Sequence, residues 1–246
     1  MWLAGPARRI GAAGTPGALK LGFELKPGMR VGVFGGSFNP AHEGHAHVAQ
    51  TALTRLRLDR VIWLVSPQNP LKASHGVTLA DRMASARRMA RGPSMIVSDA
   101  ESRFGSVYTI DTLRKLKSRF PGVHFVWLMG ADNLASFHRW RGWADIVRTT
   151  PMAVISRPDS MLQSRSAPAA RRFAHARRHS CAAAKLATEP TPAWTYLRAP
   201  LNYQSSTALR RAAQAAGDQA AVDQAPAADP EHAGHEKART AEPDRA

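Results

Sequence analysis

The 246-residue sequence contains a single cysteine, Cys181, and that scarcity removes two classes of architecture. One thiol closes no intramolecular disulfide and supplies no Cys-rich zinc module. It fits a reducing, cytoplasmic setting, which is the expected location. Long apolar runs are missing as well. The best stretch, Val61 to Val65, is strand-sized, far short of the roughly 18–20 residues that span a bilayer, so no membrane role is expected. The opening MWLAGPARRIGAAGTPGALK is interrupted by Gly, Pro and Arg and holds no compact apolar segment before a cleavage site. It reads as an unstructured extension rather than a secretory signal. Acidic residues are few: 18 stand against 34 Lys plus Arg, leaving a net charge of +16. Such a balance favours polyanions, among them nucleic acid, acidic lipid and phosphorylated small molecules. No RNP-type, zinc-finger or heptad-plus-basic-region pattern accompanies the charge, so no specific nucleic-acid recognition is expected. The densest cluster, ARRFAHARRH (170–179), reads as the solvated face of a basic helix.

What is present alternates regularly. RVGVF (30–34), VIWLV (61–65), MIVSD (95–99), HFVWLMG (124–130), MAVIS (152–156) and WTYLR (194–198) read as strands, several apolar throughout, as strands buried on both faces are. HAHVAQTALTRL (45–56), TLADRMASARRMAR (78–91), YTIDTLRKLKSRF (108–120) and a stretch around 160–179 carry helical spacing, with RGP and PG as stops. Strand alternating with helix predicts an α/β fold: a doubly wound, Rossmann-like parallel sheet with helices on both faces. The expected boundaries are an extension over 1–27, one domain over 28–215, and a disordered Ala-, Pro- and charge-rich tail over 216–246. Ligands of such sheets bind beyond the carboxyl ends of the strands, where strand order reverses, so a functional motif should follow a strand directly.

The segment VGVFGGSFNPAHEGHAHVAQ (31–50) does so. Gly35 and Gly36 permit torsions or a close ligand approach that a Cβ would block. Ser37 adds a hydroxyl, Pro40 stiffens the loop, and a helix starting near Glu43 or Gly44 would present free N–H groups and a positive dipole end to an anion. His42 and His45 share one side of the first helical turn, and His47 points elsewhere. Three readings of the histidines stand: metal ligands, core residues, or donors to phosphate. The His-Glu-x-x-His zinc pattern fails because Ala46 stands where the second histidine belongs. No G-x-x-x-x-G-K-[ST] occurs, and Phe34 breaks G-x-G-x-x-G, which disfavours a P-loop NTPase or an ordinary dinucleotide-binding dehydrogenase.

GGSFNPAHEGH resembles the G-G-x-F-x-P-x-H-x-G-H signature of the superfamily that transfers AMP or CMP from a nucleoside triphosphate to a phosphate, with Asn39 where bacterial members often carry aspartate. QSSTALR (204–210) resembles that superfamily's I-S-S-T-x-[IV]-R element. SPQNPLK (66–72), SVYTIDTL (106–113), MGADNLASFHRW (129–140) and ISRP (155–158), in that order, resemble nicotinate-nucleotide adenylyltransferases from about Arg30 to Arg211. The resemblance implies transfer of AMP from ATP to nicotinate mononucleotide, giving deamido-NAD and pyrophosphate, with Mg2+ carried on the ATP phosphates and no metal held by the protein. It implies His42, His45, Lys72 and Arg210 as the catalytic donors. Gly35, Gly36, Ser37, Phe38, Gly130, Asp132, Ser205, Ser206 and Thr207 would join them around ATP. Ser37, Asn39, Lys72, Tyr108, Thr109 and Trp140 would hold the acceptor, Trp140 by stacking on the pyridine ring. Two rivals remain: a sister enzyme acting on nicotinamide mononucleotide or another phosphate acceptor, and a non-catalytic RNA- or nucleotide-binding protein.

Overall fold

A computed structural model describes residues 21–67, 77–156 and 166–199. The strands are β1 (Arg30–Gly36), β2 (Arg60–Val65), β3 (Met95–Ser98), β4 (His124–Gly130), β5 (Met152–Ile155), β6 (Arg177–Arg178) and β7 (Trp194–Leu197). They form one sheet in the order β3-β2-β1-β4-β5-β7-β6, and every pairing is parallel. The chain builds outward from β1 to β2 and β3, then returns to lay β4 on the other side of β1. The reversal of strand order therefore falls between β1 and β4, whose carboxyl ends are Gly36 and Gly130.

The apolar strands are explained by what each face meets. Along β4, Phe125, Trp127 and Met129 enter one core and Val126 and Leu128 the other. The first core also takes Ile110, Leu113 and Leu116 of α4 (Thr109–Arg119) and Ile146 and Val147 of α6 (Trp143–Thr149). The second takes Val48, Ala49 and Ala52 of α1 (Glu43–Arg55), with Met83 and Ala86 of α2 (Leu79–Met89). Helices α1 and α2 thus cover one face of the sheet, and α4 and α6 cover the opposite face. Short helices α3 (Ala100–Arg103) and α5 (Ala131–Leu134) follow β3 and β4 directly. At α2, Thr78 and Asp81 cap reciprocally: the Thr78 hydroxyl accepts from Asp81 N–H at 3.1 Å, and the Asp81 carboxylate accepts from Thr78 N–H at 3.2 Å.

Two readings of the sequence change. Packing reaches back past residue 28: Leu21 and Leu25 are buried in the first core, and Phe23 stacks on Phe120 at 5.7 Å. The last part of the expected extension is therefore domain, because its apolar residues cover the end of α4. The stretch 170–179 is not one basic helix. It divides into α7 (Pro168–Arg172), a 3₁₀ turn over Ala174–Ala176 and the edge strand β6. Phe173 and Ala176 are buried there, Arg177 lies over the Trp194 ring at 5.4 Å, and Arg178 pairs with Glu189 at 3.2 Å. Arg172, over the Trp143 ring at 5.5 Å, joins Arg177 and Arg178 in having a partner on the fold. Residues 157–165 and the tail over 216–246 lie outside the described residues.

Gly35 has a packing reason beside any ligand. A Cβ there would stand 2.4 Å from the buried Trp127 ring, which has nowhere to go in the first core. Gly35→Ala should destabilise the fold by about 1–3 kcal/mol, the usual range for forcing extra volume into a full core. Urea denaturation of the variant measures this, and an unchanged midpoint would contradict the close packing.

Candidate active site

The rim where β1 and β4 end is built first by a turn. Phe38 sits there at φ 48, a left-handed conformation costly for a bulky residue, yet its side chain is only 1% exposed. Its ring contacts those of Phe34 at 5.5 Å, Trp63 at 5.2 Å and His45 at 5.0 Å. Burial of this ring offsets the backbone strain and pins the turn to the second core. The Phe38 side chain, expected beside ATP, thus lies beneath the rim, with His45 above it. The Asn39–Pro40 peptide that follows is cis.

His42 then caps α1. It is 3% exposed, and its Nδ1 accepts the N–H of Gly44 at 3.1 Å. One turn on, His45 Nδ1 accepts the N–H of His42 at 3.3 Å, completing a reciprocal cap made of imidazoles instead of the usual hydroxyl and carboxylate. The two ring centroids are 3.9 Å apart. This cap has a chemical consequence. A neutral imidazole accepts at one nitrogen and donates at the other, so rings whose Nδ1 atoms accept main-chain N–H groups carry their proton on Nε2. Each therefore presents an Nε2–H donor. Among the described residues no group of three or more His, Cys, Asp or Glu side chains could hold a metal ion.

The second part of the rim comes from the other core. Trp140, half-buried, meets Trp127 edge-on at 6.2 Å and Phe137 at 5.4 Å. The turn after it docks on the start of α4. Arg141 lies over the Tyr108 ring at 4.6 Å, and a Cβ on Gly142 would stand 3.0 Å from Ile110. Tyr108 is the residue preceding α4 and Thr109 its first. Trp140, Tyr108 and Thr109, far apart in sequence, thus share one corner. Gly130 ends β4 and precedes α5, which carries Asp132, exposed, in its first turn. Ser37 and Asn39 occupy the turn after β1. Lys72, Ser205, Ser206, Thr207 and Arg210 lie outside the described residues, so their placement at the rim stays a proposal.

A cavity of about 650 Å³ opens elsewhere, at the β6–β7 edge, among Arg55, Arg177, Arg178, His179, Tyr196 and Arg198. It contains none of the rim residues. The motifs also passed over groups that the fold brings to the rim: the buried cation Arg82, the buried acid Glu101, and Arg141 over Tyr108. Arg82 left one trace in the sequence, since it interrupts the apolar stripe Leu79, Met83, Ala86 of α2. Glu101 left none.

Comparison with known proteins places these features. Residues 33–212 match the family model described as cytidylyltransferase-like. A protein of Caulobacter sp. (strain K31) named "Probable nicotinate-nucleotide adenylyltransferase" is 70% identical over 183 residues, covering 74% of this chain and 97% of its own. One of the same name from Methylorubrum extorquens (strain PA1) is 56% identical over 184 residues, covering 74% and 99%. Among solved structures, the Plasmodium falciparum nicotinic acid mononucleotide adenylyltransferase complexed with NaAD aligns at a TM-score of 0.56 and 15% identity. That alignment covers 74% of this chain and 83% of the other, and it speaks for the fold alone.

Glu101 offers a test through pH. Burial pushes its carboxyl above the ordinary carboxylate value of 4.5, and hydrogen bonds from the Ser66 and Thr112 side chains act in the opposite sense. An acid whose folded value is raised destabilises the fold as pH climbs past the unfolded value, because the buried form must then ionise. Glu101→Gln keeps the shape without the charge. Its melting temperature should gain on the wild type progressively from about pH 4.5 upward, with the gain absent in more acidic buffer. A difference that does not vary with pH would show that Glu101 ionises in the fold as easily as in water.

Proposed function

This chain belongs to the cytidylyltransferase-like family, and from that premise we propose that it transfers AMP from ATP to nicotinate mononucleotide, releasing deamido-NAD and pyrophosphate. The observation that carries the reading is the imidazole pair at the strand-order reversal, each ring held through an accepting Nδ1 with Nε2–H as its donor.

A phosphate oxygen of the mononucleotide attacks the α-phosphorus of ATP, the bond to the β,γ-pyrophosphate breaks, and the electron pair leaves with pyrophosphate. The attacking phosphate is already an anion at neutral pH, so the reaction needs no general base. What it needs is alignment of two polyanions and neutralisation of the charge that gathers on the leaving group. His42 and His45 supply neutral-ring donors for that charge, and Lys72 and Arg210 add cations. Ser205, Ser206 and Thr207 offer hydroxyl and N–H groups to the triphosphate, and the main chain of Gly35 to Phe38 lines its near side. Mg2+ would enter with ATP and would add positive charge to its phosphates rather than being held by protein side chains. Gly130 and Asp132 flank the nucleotide from the end of β4. On the acceptor side Trp140 gives the pyridine ring an aromatic face, and Thr109 at the start of α4 gives its carboxylate a hydroxyl and N–H groups. Ser37, Asn39 and Tyr108 close that side. The preference for acid over amide rests on that carboxylate contact, so nicotinamide mononucleotide is the acceptor to test against it. We place the reaction in the cytoplasm, where the exposed Cys181 stays reduced.

Pyrophosphate release from ATP should require nicotinate mononucleotide and fall with nicotinamide mononucleotide. A side-by-side turnover assay decides, and release with neither overturns the reading in favour of a nucleotide-binding role. His45→Ala should lower kcat by about 10²–10³, typical of losing one transition-state donor. A folded variant with wild-type turnover would remove His45 from the mechanism. Trp140→Ala should raise the KM for the mononucleotide while leaving that for ATP near its starting value. An unchanged acceptor KM would contradict stacking.

A further inference from the structure

Arg82 is the buried cation that the reaction above does not use. It lies on α2, only 7% exposed, and no carboxylate among the described residues forms an ion pair with it. Its guanidinium is spread over three main-chain oxygens instead. Nη1 donates to the carbonyls of Ser37 at 3.0 Å and Ser66 at 2.5 Å, and Nη2 donates to that of Pro67 at 2.7 Å. One helical turn on, Ser85, also buried, accepts the N–H of Ala41 at 3.0 Å. Ser37 and Ala41 are the two ends of the turn that delivers His42. Ser66 and Pro67 are the first residues after β2. One helix face therefore grips the histidine turn at both ends and ties it to the neighbouring loop.

Packing does not explain this. An aliphatic side chain would continue the stripe of Leu79, Met83 and Ala86 without desolvating a charge. What arginine adds is a rigid planar fork that can meet several oxygens at fixed angles, which an ammonium on a flexible stem cannot do. The acceptors are not arbitrary either: all three belong to the two loops that flank the phosphate-binding rim.

We propose that Arg82, assisted by Ser85, is a positioning residue that sets the spacing between the turn after β1 and the residues that follow β2, and through it the alignment of the two imidazoles. This rests on adenylyl transfer at the rim, as proposed above. Displacement of reacting groups by about 1 Å costs on the order of 10²-fold in rate, so a small change in loop spacing should be visible in turnover while ground-state binding persists.

The test uses the full chain as wild type, Arg82→Lys, Arg82→Ala and Ser85→Ala. It reads melting temperature, then kcat and both KM values well below melting, and amide hydrogen exchange. Arg82→Lys should fold and lose kcat about 10–100-fold, with both KM values nearly unchanged. Its Ala41 and Gly44 amides should exchange about tenfold faster or more, since the turn they anchor opens locally. Ser85→Ala should release the Ala41 amide and lower kcat less. A merely structural arginine would lower the melting temperature without this separation of kcat from KM. Wild-type kcat together with wild-type exchange in Arg82→Lys overturns the proposal. If Arg82→Ala fails to fold, the lysine and Ser85 variants carry the test. If the wild type releases no pyrophosphate, the reaction assignment fails on its own, and the exchange rates still decide whether Arg82 fixes the turn.

Discussion

The rim depends on how α1 begins. Most helices start with a Ser, Thr, Asp or Asn whose oxygen accepts an orphan N–H, a cap that contributes about 1 kcal/mol. Here two imidazoles do that work, His42 for Gly44 and His45 for His42. A carboxylate cap carries no donor, and a hydroxyl cap keeps its O–H on the same atom that accepts, close to the main chain. An imidazole has a second nitrogen, so the same ring both starts the helix and holds an Nε2–H donor. The helix start fixes the direction of that donor, because the ring cannot rotate without losing its main-chain bond. Cap and donor are one structure, and the identity of the two residues follows from asking both of them.

A second constraint joins the two halves of the rim. Trp127, central in β4 and fully buried, occupies the space beside Gly35 where a side chain would stand, and its ring edge meets Trp140. The glycine turn after β1 and Trp140 are therefore packed against the same indole. The rim behaves as one piece because its parts share a neighbour in a close-packed core. On the opposite face Phe38 does the same for the turn, its ring locked between Phe34, Trp63 and His45.

Much of this was legible in the sequence, and the reasons are specific. The strands beginning near Arg30, Val61, Met95, His124, Met152 and Trp194 were legible because each is a short apolar run bounded by turn residues, and burial on both faces leaves no other way to place it. The glycine-histidine segment was legible as the turn at the reversal of the sheet because it follows β1 directly. Its inner workings were not. Nothing in one dimension distinguishes Phe38 facing a ligand from Phe38 beneath His45, since that depends on a left-handed φ and three rings from β1, β2 and α1. Arg82 looked like one more arginine among many until α2 docked on the loop ends. The basic stretch 170–179 suggested a helix by composition, yet Phe173, Ala176 and the pairing of Arg177 with Trp194 in β7 divide it, and such long-range contacts override local propensity. Leu21 and Leu25 were assigned to an extension because Gly and Pro dominate the residues before them, although their own apolar character placed them in the core.

The charge of the chain takes a different place in this scheme than composition first suggests. A net +16 attracts any polyanion, and attraction at long range does not discriminate among nucleotides, RNA and pyrophosphate. Arg55, Arg177, Arg178 and Arg198 line the cavity at the β6–β7 edge, whereas the helix cap at the reversal of the sheet is made of imidazoles. Surface charge raises the rate of encounter and is screened by salt within roughly 8–10 Å at physiological ionic strength. Discrimination must come from short-range donors with fixed directions, which salt affects little. In this fold those directions are set by main-chain bonds: Nδ1 to the start of α1 for the imidazoles, and three carbonyls for Arg82. Donor direction at the rim therefore depends on backbone geometry more than on the number of cations.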